Sequence, residues 1–160
     1  MFAKVYWAGG TVLSVPPLSV AEIFWSVSRR GVIRGLHFQS PPDSVSKIVW
    51  VSVGSIVDVV IDLRKGSPTF ERGCRFELSS SSGALLIPDG CAHGYQVVTE
   101  SAVVHYAQTG DFHPESDAGI GFESLGRWWP IDQVILSDRD ASLPMIHDFK
   151  SPFEYSESQS

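Results

Sequence analysis

Short β-rich runs, separated at regular intervals by turn-forming residues, constrain this chain more than any other feature. KIVWVSV at 47–53, IVDVVIDLR at 56–64, and the runs at 74–78, 84–87, 94–98 and 102–107 carry the β-branched and aromatic residues that suit a pleated, half-buried surface. Between them stand Gly54-Ser55, the KGSPTF stretch at 65–70, the serine run at 79–82 and Pro88-Asp89-Gly90, all strong turn signals. No long helical periodicity intervenes, and turn signals at this spacing favour an all-β sandwich or barrel over alternating βα units.

The N-terminal part is less plain. VAEIFWSV at 20–27 can be read as a helix, because Ser19 precedes Glu22 at capping-box spacing. The same residues are aromatic and β-branched enough for a strand, which is the reading we adopt. SPFEYSESQS at 151–160 reads as a polar tail that frays, leaving 1–150 as one domain.

Strand parity sorts the side chains. In IVDVVIDLR, Val57, Val59, Ile61 and Leu63 share a packed face, while Asp58, Val60, Asp62 and Arg64 share a mixed face that lines a cavity or meets water. In AVVHYA, Ala102, Val104 and Tyr106 lie opposite Val103, His105 and Ala107, so His105 and Tyr106 serve different sites. Asp62 and Arg64 look like a charge pair flanking a turn.

The strand at 32–39 sits in RGVIRGLHFQ and has an odd interior. Arg34 and His37 point to opposite faces in a flat strand. They converge only if the strand bulges between them, and Gly35 is the residue that permits a bulge. The plain alternative is that Arg34 reaches solvent and His37 is a satisfied core histidine.

Charge and cysteines narrow the function. A net charge of -6 argues against a nucleic-acid binder, which would carry a basic stripe. Arg29, Arg30, Arg34 and Lys47 still form a local cluster for an anionic small ligand. Cys74 and Cys91 show no CxxC spacing and read as reduced, part-buried thiols. The apolar stretch at 48–63 is interrupted by Ser52, Gly54, Ser55, Asp58 and Asp62, so no membrane span is expected, and a cytoplasmic location is.

RGLHFQ, then Lys47, then GSIVDVVIDLRKGSPTF, then IPDGCAHGYQV, then Tyr106, then WP and ILSDRDASLP follow one another in order over residues 28–145. In these motifs and their spacing the chain resembles the dTDP-4-dehydrorhamnose 3,5-epimerase family of cupins. The resemblance implies a cupin-type β-jelly-roll, a homodimer, and epimerisation of a nucleoside-diphosphate 4-keto-6-deoxy sugar at C3, C5 or both, in deoxysugar and polysaccharide biosynthesis. It implies no metal and no organic cofactor. Carried over by motif, His37 is the base that takes the proton next to the C4 ketone, and Asp140 pairs with it. Tyr106 delivers a proton to the opposite face of the ring, and Lys47 stabilises the enolate oxygen. His93 and Asp58 complete the pocket, Arg34 contacts the diphosphate, and Phe112 stands where the family has an aromatic that stacks on the base. The segment ahead of RGLH is shorter than is usual in the family, where that part supplies strands and contacts to the partner subunit's nucleotide.

The chemistry calls for such a set independently. A carbon acid beside a ketone is weak, and a general base contributes only about 10²–10⁴-fold. A fixed cation or donor at the developing enolate oxygen is worth about 3–4 kcal/mol more. A His–Asp pair holds one imidazole tautomer and favours the imidazolium once formed. Inversion needs a proton donor on the far side, and a phenol with a reference pKa of about 10 is protonated at neutral pH. Other readings stay open at this point: a 3,4-ketoisomerase of the same fold, a non-catalytic sugar-nucleotide-binding module, or a metal-dependent cupin. The last needs HxH followed by Glu; this chain has no HxH, and its separated His37 and His93 are the pair available.

Overall fold

The computed structural model describes residues 18–156, without the side chain of residue 127. Among the described residues, nine strands build two antiparallel sheets: β1 (Glu22–Arg29), β2 (Ile33–Gln39), β3 (Lys47–Val53), β4 (Ser55–Asp62), β5 (Gly73–Ser79), β6 (Ala84–Ile87), β7 (Cys91–Val97), β8 (Ser101–Gln108) and β9 (Asp117–Gly119). One sheet has the order β1-β8-β3-β6 and the other β5-β4-β7-β2-β9. A short helix α1 (Asp138–Ala141) and two 3₁₀ stretches, Phe122–Trp128 and Ile146–Asp148, follow the last strand. The architecture is the all-β jelly-roll sandwich that the turn spacing and the motifs lead one to expect. VAEIFWSV is strand, not helix, from Glu22 onward, because β1 pairs with β8 along its whole length, Glu22 to Gln108 through Arg29 to Ser101. β7 begins at Cys91 rather than 94, directly after the Pro88-Asp89-Gly90 turn, and β9 was not foreseen.

Alternation decides what each face buries. Val49, Val51, Ile56, Tyr95, Val97, Val104 and Tyr106 fill the space between the sheets. Val57, Val59, Ile61 and Leu63, the packed face of IVDVVIDLR, turn the other way. They are covered by the C-terminal segment, whose Trp128, Trp129, Phe149 and Phe153 close a second core. Each such aliphatic side chain stabilises by about 1.5–3 kcal/mol when buried, so covering this face holds the segment firmly. The expected polar tail is therefore docked at its start. Phe153 is buried, the Ser151 hydroxyl donates to the Leu63 carbonyl at 2.5 Å, and the Tyr155 amide donates to the Lys65 carbonyl at 2.8 Å. The expectations for the short N-terminal segment up to residue 17 and for the tail's last residues, 157–160, lie outside the described residues.

Asp62 and Arg64 do flank a turn. Asp62 Oδ1 accepts from Arg64 Nε at 2.9 Å, and Oδ2 accepts from Ser67 and Thr69 at 2.6 and 2.7 Å. Burial pushes the Asp62 carboxyl up, but the bonds from Arg64, Ser67 and Thr69 outweigh this and hold it well below the ordinary carboxylate range.

Candidate functional site

The register of β2 against β7 slips between Arg34 and His37, so a bulge occupies the position of Gly35. Gly35 has φ +122°, and a Cβ there would lie 2.4 Å from the Cα of Gly94. Only glycine lets the two backbones approach this closely. The bulge leaves Arg34 paired with Tyr95 and His37 paired with His93 in register. His37 therefore looks into a cleft of about 690 Å³ that Lys47, Phe112, Phe24, Gln39, Gln108, Glu22, Ile23, Asp117 and Arg139 also line.

Asp140 reaches His37 from 103 residues away in sequence. Gln96, fully buried on β7, fixes the approach by accepting from the Ile131 amide at 3.0 Å and donating to its carbonyl at 2.9 Å. Ile135 then exchanges backbone bonds with Ile33 and Gly31, and Ser137 caps α1 by accepting from the Asp140 amide at 3.1 Å. The result sets Asp140 Oδ1 2.5 Å from His37 Nε2, with Ser137 donating to Oδ2 at 2.9 Å. Burial raises the Asp140 carboxyl, yet the bonds from His37 and Ser137 prevail and hold it below its ordinary value. A fixed carboxylate thus faces an imidazole that is still part-exposed to the cleft, the arrangement of an oriented general base.

Across the cleft, the inner face of the other sheet presents one file of Glu22, Gln108 and Lys47. The Gln108 amide donates to Glu22 at 2.9 Å. Burial depresses the Lys47 ammonium, Asp117 pulls it back up, and Arg139 pushes it down. Arg139 is held by Asp117 at 2.5 Å, so a second cation stands at the same mouth. Phe112 is placed by its neighbours: its amide donates to Glu22 at 3.2 Å, and Gln39 ties the adjoining loop by accepting from the His113 amide at 2.6 Å. More than half of the Phe112 surface is exposed, leaving a ring face free at the cleft.

Tyr106 lies one layer beneath. It is 8% exposed, and the Phe24 ring stacks on it at 4.7 Å with an interplanar angle of 14°. Its surroundings are not sealed hydrocarbon, because its hydroxyl faces the Ser26 hydroxyl at 3.4 Å and the His93 ring is centred 6.2 Å away. Burial raises the phenol well above its ordinary value, Tyr95 adds to the rise and Ser26 opposes it, so it stays protonated. His93 Nδ1 lies 3.4 Å from Asp58 Oδ2, both side chains being buried. Burial drives Asp58 up and His93 down, so the pair favours its neutral forms.

Of the residues singled out from sequence, His37, Lys47 and Phe112 line the cleft, Asp140 backs His37, and Tyr106, His93 and Asp58 form a buried layer behind it. Arg34 does not line the cleft; its exposed side chain donates from Nε to Ser28 at 2.9 Å. His105 lies on the outer face, bonded to Ser52 at 2.7 Å and stacked on Trp50, as parity requires. Gln39, Gln108, Glu22, Phe24, Asp117 and Arg139 were missed. Two-residue alternation from His37 and Tyr106 points to Gln39 and Gln108, whereas Glu22 and Phe24 needed the β1–β8 register.

The sequence profile of the dTDP-4-dehydrorhamnose 3,5-epimerase family matches residues 5–148, further toward the N-terminus than the motifs alone suggest. The dTDP-4-dehydrorhamnose 3,5-epimerase of Sinorhizobium fredii is 36% identical over 129 residues, 78% of this chain and 66% of that protein, so the chain spans just under two thirds of that relative's length. The crystal structure of dTDP-4-dehydrorhamnose 3,5-epimerase from Sulfolobus tokodaii superposes with a TM-score of 0.87 at 35% identity, covering 96% of this chain and 85% of that one. The dTDP-6-deoxy-D-glucose-3,5-epimerase of Legionella pneumophila, solved in complex with dTDP-4-keto-L-rhamnose, gives a TM-score of 0.81 at 34% identity over 87% of this chain and 77% of that one.

Proposed function

From the premise that this chain belongs to the dTDP-4-dehydrorhamnose 3,5-epimerase family, we propose that it is an isomerase that epimerises a dTDP-linked 4-keto-6-deoxy sugar at C3, C5 or both. One observation carries the reading. An imidazole backed by a buried carboxylate and a desolvated ammonium face one cleft from two different sheets, with a protonated phenol behind its wall.

His37, oriented by Asp140, takes the proton from the carbon next to the ketone. The C–H electrons pass into the carbonyl, and Lys47 stabilises the enolate oxygen, an interaction of about 3–4 kcal/mol when the cation is fixed in advance. The enolate collapses as Tyr106 gives its proton to the opposite face of the same carbon, inverting it. His93 and Asp58, both buried, hold the floor of the pocket. Phe112 offers its ring to the nucleotide base, and the diphosphate lies toward Arg139 at the cleft mouth. No step requires a metal or an organic cofactor.

A homodimer is part of the proposal. The outer face of the β1 sheet leaves Ile23, Trp25 and Val27 each more than 60% exposed, an apolar strip suited to a second copy of the chain. The described residues act as one domain that includes the C-terminal segment through Phe153, whose side chain is part of the second core. Cys74 and Cys91 are both unpaired, which suits a cytoplasmic enzyme. No helix among the described residues is long and apolar enough to cross a membrane.

The test is solvent exchange. The purified protein is incubated with dTDP-4-keto-6-deoxyglucose in D₂O, and deuterium at C3 and C5 is read by NMR alongside the inverted product. Exchange is expected in the wild type and absent in His37→Ala. Tyr106→Phe is expected to retain exchange while losing most of the inverted product. Undiminished exchange in His37→Ala would show that another group is the base.

A further inference from the structure

A row of hydroxyls runs away from Tyr106 between the sheets. Ser26 Oγ lies 3.4 Å from the Tyr106 hydroxyl and 2.9 Å from the Tyr95 hydroxyl. Ser28 Oγ lies 3.4 Å from the Tyr95 hydroxyl and accepts from Arg34 Nε at 2.9 Å. Ser26 and Ser28 sit on the inner face of β1, on the same side as Phe24, because alternate residues of a strand share a face. Tyr95 is 1% exposed, so its hydroxyl must find its partners inside the protein.

A hydroxyl can point its hydrogen either way, but a guanidinium only donates. Ser28 therefore receives from Arg34 and turns its own hydrogen toward Tyr95. Tyr95 in turn donates to Ser26, and Ser26 donates to the Tyr106 oxygen. With its oxygen occupied as an acceptor, Tyr106 has its own hydrogen free. We propose that Arg34, Ser28, Tyr95 and Ser26 form a polarised hydroxyl chain that orients the Tyr106 proton toward the sugar and returns a proton to Tyr106 after each inversion. This rests on the reading of Tyr106 as the proton donor.

The proton balance needs such a device. One inversion leaves His37 with an added proton and Tyr106 as a phenolate. Tyr106 is nearly buried, so solvent reaches it poorly. Ser26 is only half-buried. The Ser26 O–H bond breaks as the Tyr106 O–H bond re-forms, and Ser26 regains a proton from water. The hydroxide so formed is neutralised by the proton that His37 releases, and no electrons are gained or lost. The Ser26–Tyr106 contact is long for the neutral phenol. A phenolate draws the donor closer, since hydrogen bonds to an ionised oxygen are shorter and stronger. Ser26, Tyr95, Ser28 and Arg34 are positioning residues in this scheme; none is required to touch the sugar.

The test compares Tyr95→Phe, Ser26→Ala, Tyr106→Phe and the double variant Tyr95→Phe/Tyr106→Phe, using dTDP-4-keto-6-deoxyglucose in D₂O. Circular dichroism and thermal melts report folding, and Ser26→Ala covers the case in which Tyr95→Phe fails to fold. Losing the orienting bond is expected to lower the yield of inverted product per exchange event about tenfold, with exchange at the His37 face unchanged. The double variant is expected to be no worse than Tyr106→Phe alone. If Tyr106→Phe loses inversion while Tyr95→Phe and Ser26→Ala behave as wild type, the chain is refuted and the donor stands. A parallel fall of exchange and inversion in Tyr95→Phe also refutes the chain, because it marks a merely structural role. If Tyr106→Phe itself inverts normally, the donor assignment fails and the chain with it.

Discussion

Replacing Gly35 by alanine tests whether the bulge that aims His37 depends on backbone contact. Two costs coincide there. At φ +122° an L-residue is strained, and the added Cβ would lie 2.4 Å from Gly94 Cα and 2.7 Å from the His93 carbonyl oxygen. Other glycines separate the two effects. Gly83 has φ +82° with nothing within 4 Å of its Cβ position, so Gly83→Ala pays strain alone, about 1–2 kcal/mol. Gly94 has no left-handed φ, but its Cβ would lie 2.6 Å from the Arg34 carbonyl oxygen, so Gly94→Ala pays crowding alone, about 1–3 kcal/mol. Gly35→Ala pays both, about 2–5 kcal/mol, against a net stability of about 5–15 kcal/mol for a domain. Urea unfolding at one fixed protein concentration should therefore show the midpoint falling in the order Gly83→Ala, Gly94→Ala, Gly35→Ala. The last shift should be about 0.7 M or more for a slope of about 1–3 kcal/mol/M. Misaiming His37 by about 1 Å should also cost on the order of 10² in proton exchange. A Gly35→Ala protein as stable as Gly83→Ala, with normal exchange, would refute the account of the bulge.

Lys47→Met keeps the stem's bulk and removes the charge facing the enolate oxygen; turnover on the 4-keto sugar should fall about 10²–10³-fold with little change in nucleotide binding, measured by kinetics and calorimetry. Asp62→Asn tests the turn far from the cleft. The folded carboxyl titrates below its unfolded value, so its contribution is complete above the unfolded pKa of about 3.9 and is lost as pH falls toward the folded value. The variant should lose about 1–3 kcal/mol at neutral pH and show a flatter decline in urea-unfolding stability below about pH 4, with exchange activity retained at neutral pH.

Local pattern made much of this protein legible. Alternation in IVDVVIDLR divides the core-facing Val57, Val59, Ile61 and Leu63 from Asp58, and that division holds because a strand has no other periodicity. Gly35 marks the bulge because no other residue tolerates its φ and its neighbour. Parity separates His105 from Tyr106 for the same local reason. Gln39 and Gln108 were within reach of this logic.

What joins distant segments was decided only in three dimensions. Phe24 over Tyr106 follows from the register of β1 on β8, and a shift of one residue would have turned its ring outward. The placement of Asp140 beside His37 depends on Gln96, Ile135 and Ser137 guiding a segment with no strong pattern of its own. Arg34 found Ser28 rather than the cleft, Arg139 took a place at the cleft mouth through Asp117, and Phe153 fastened an otherwise polar tail. Strand spacing and parity are short-range properties that a linear chain carries in itself. Which faces then meet depends on summed burial and pairing across the whole sandwich, and these exist only once the two sheets have closed on each other.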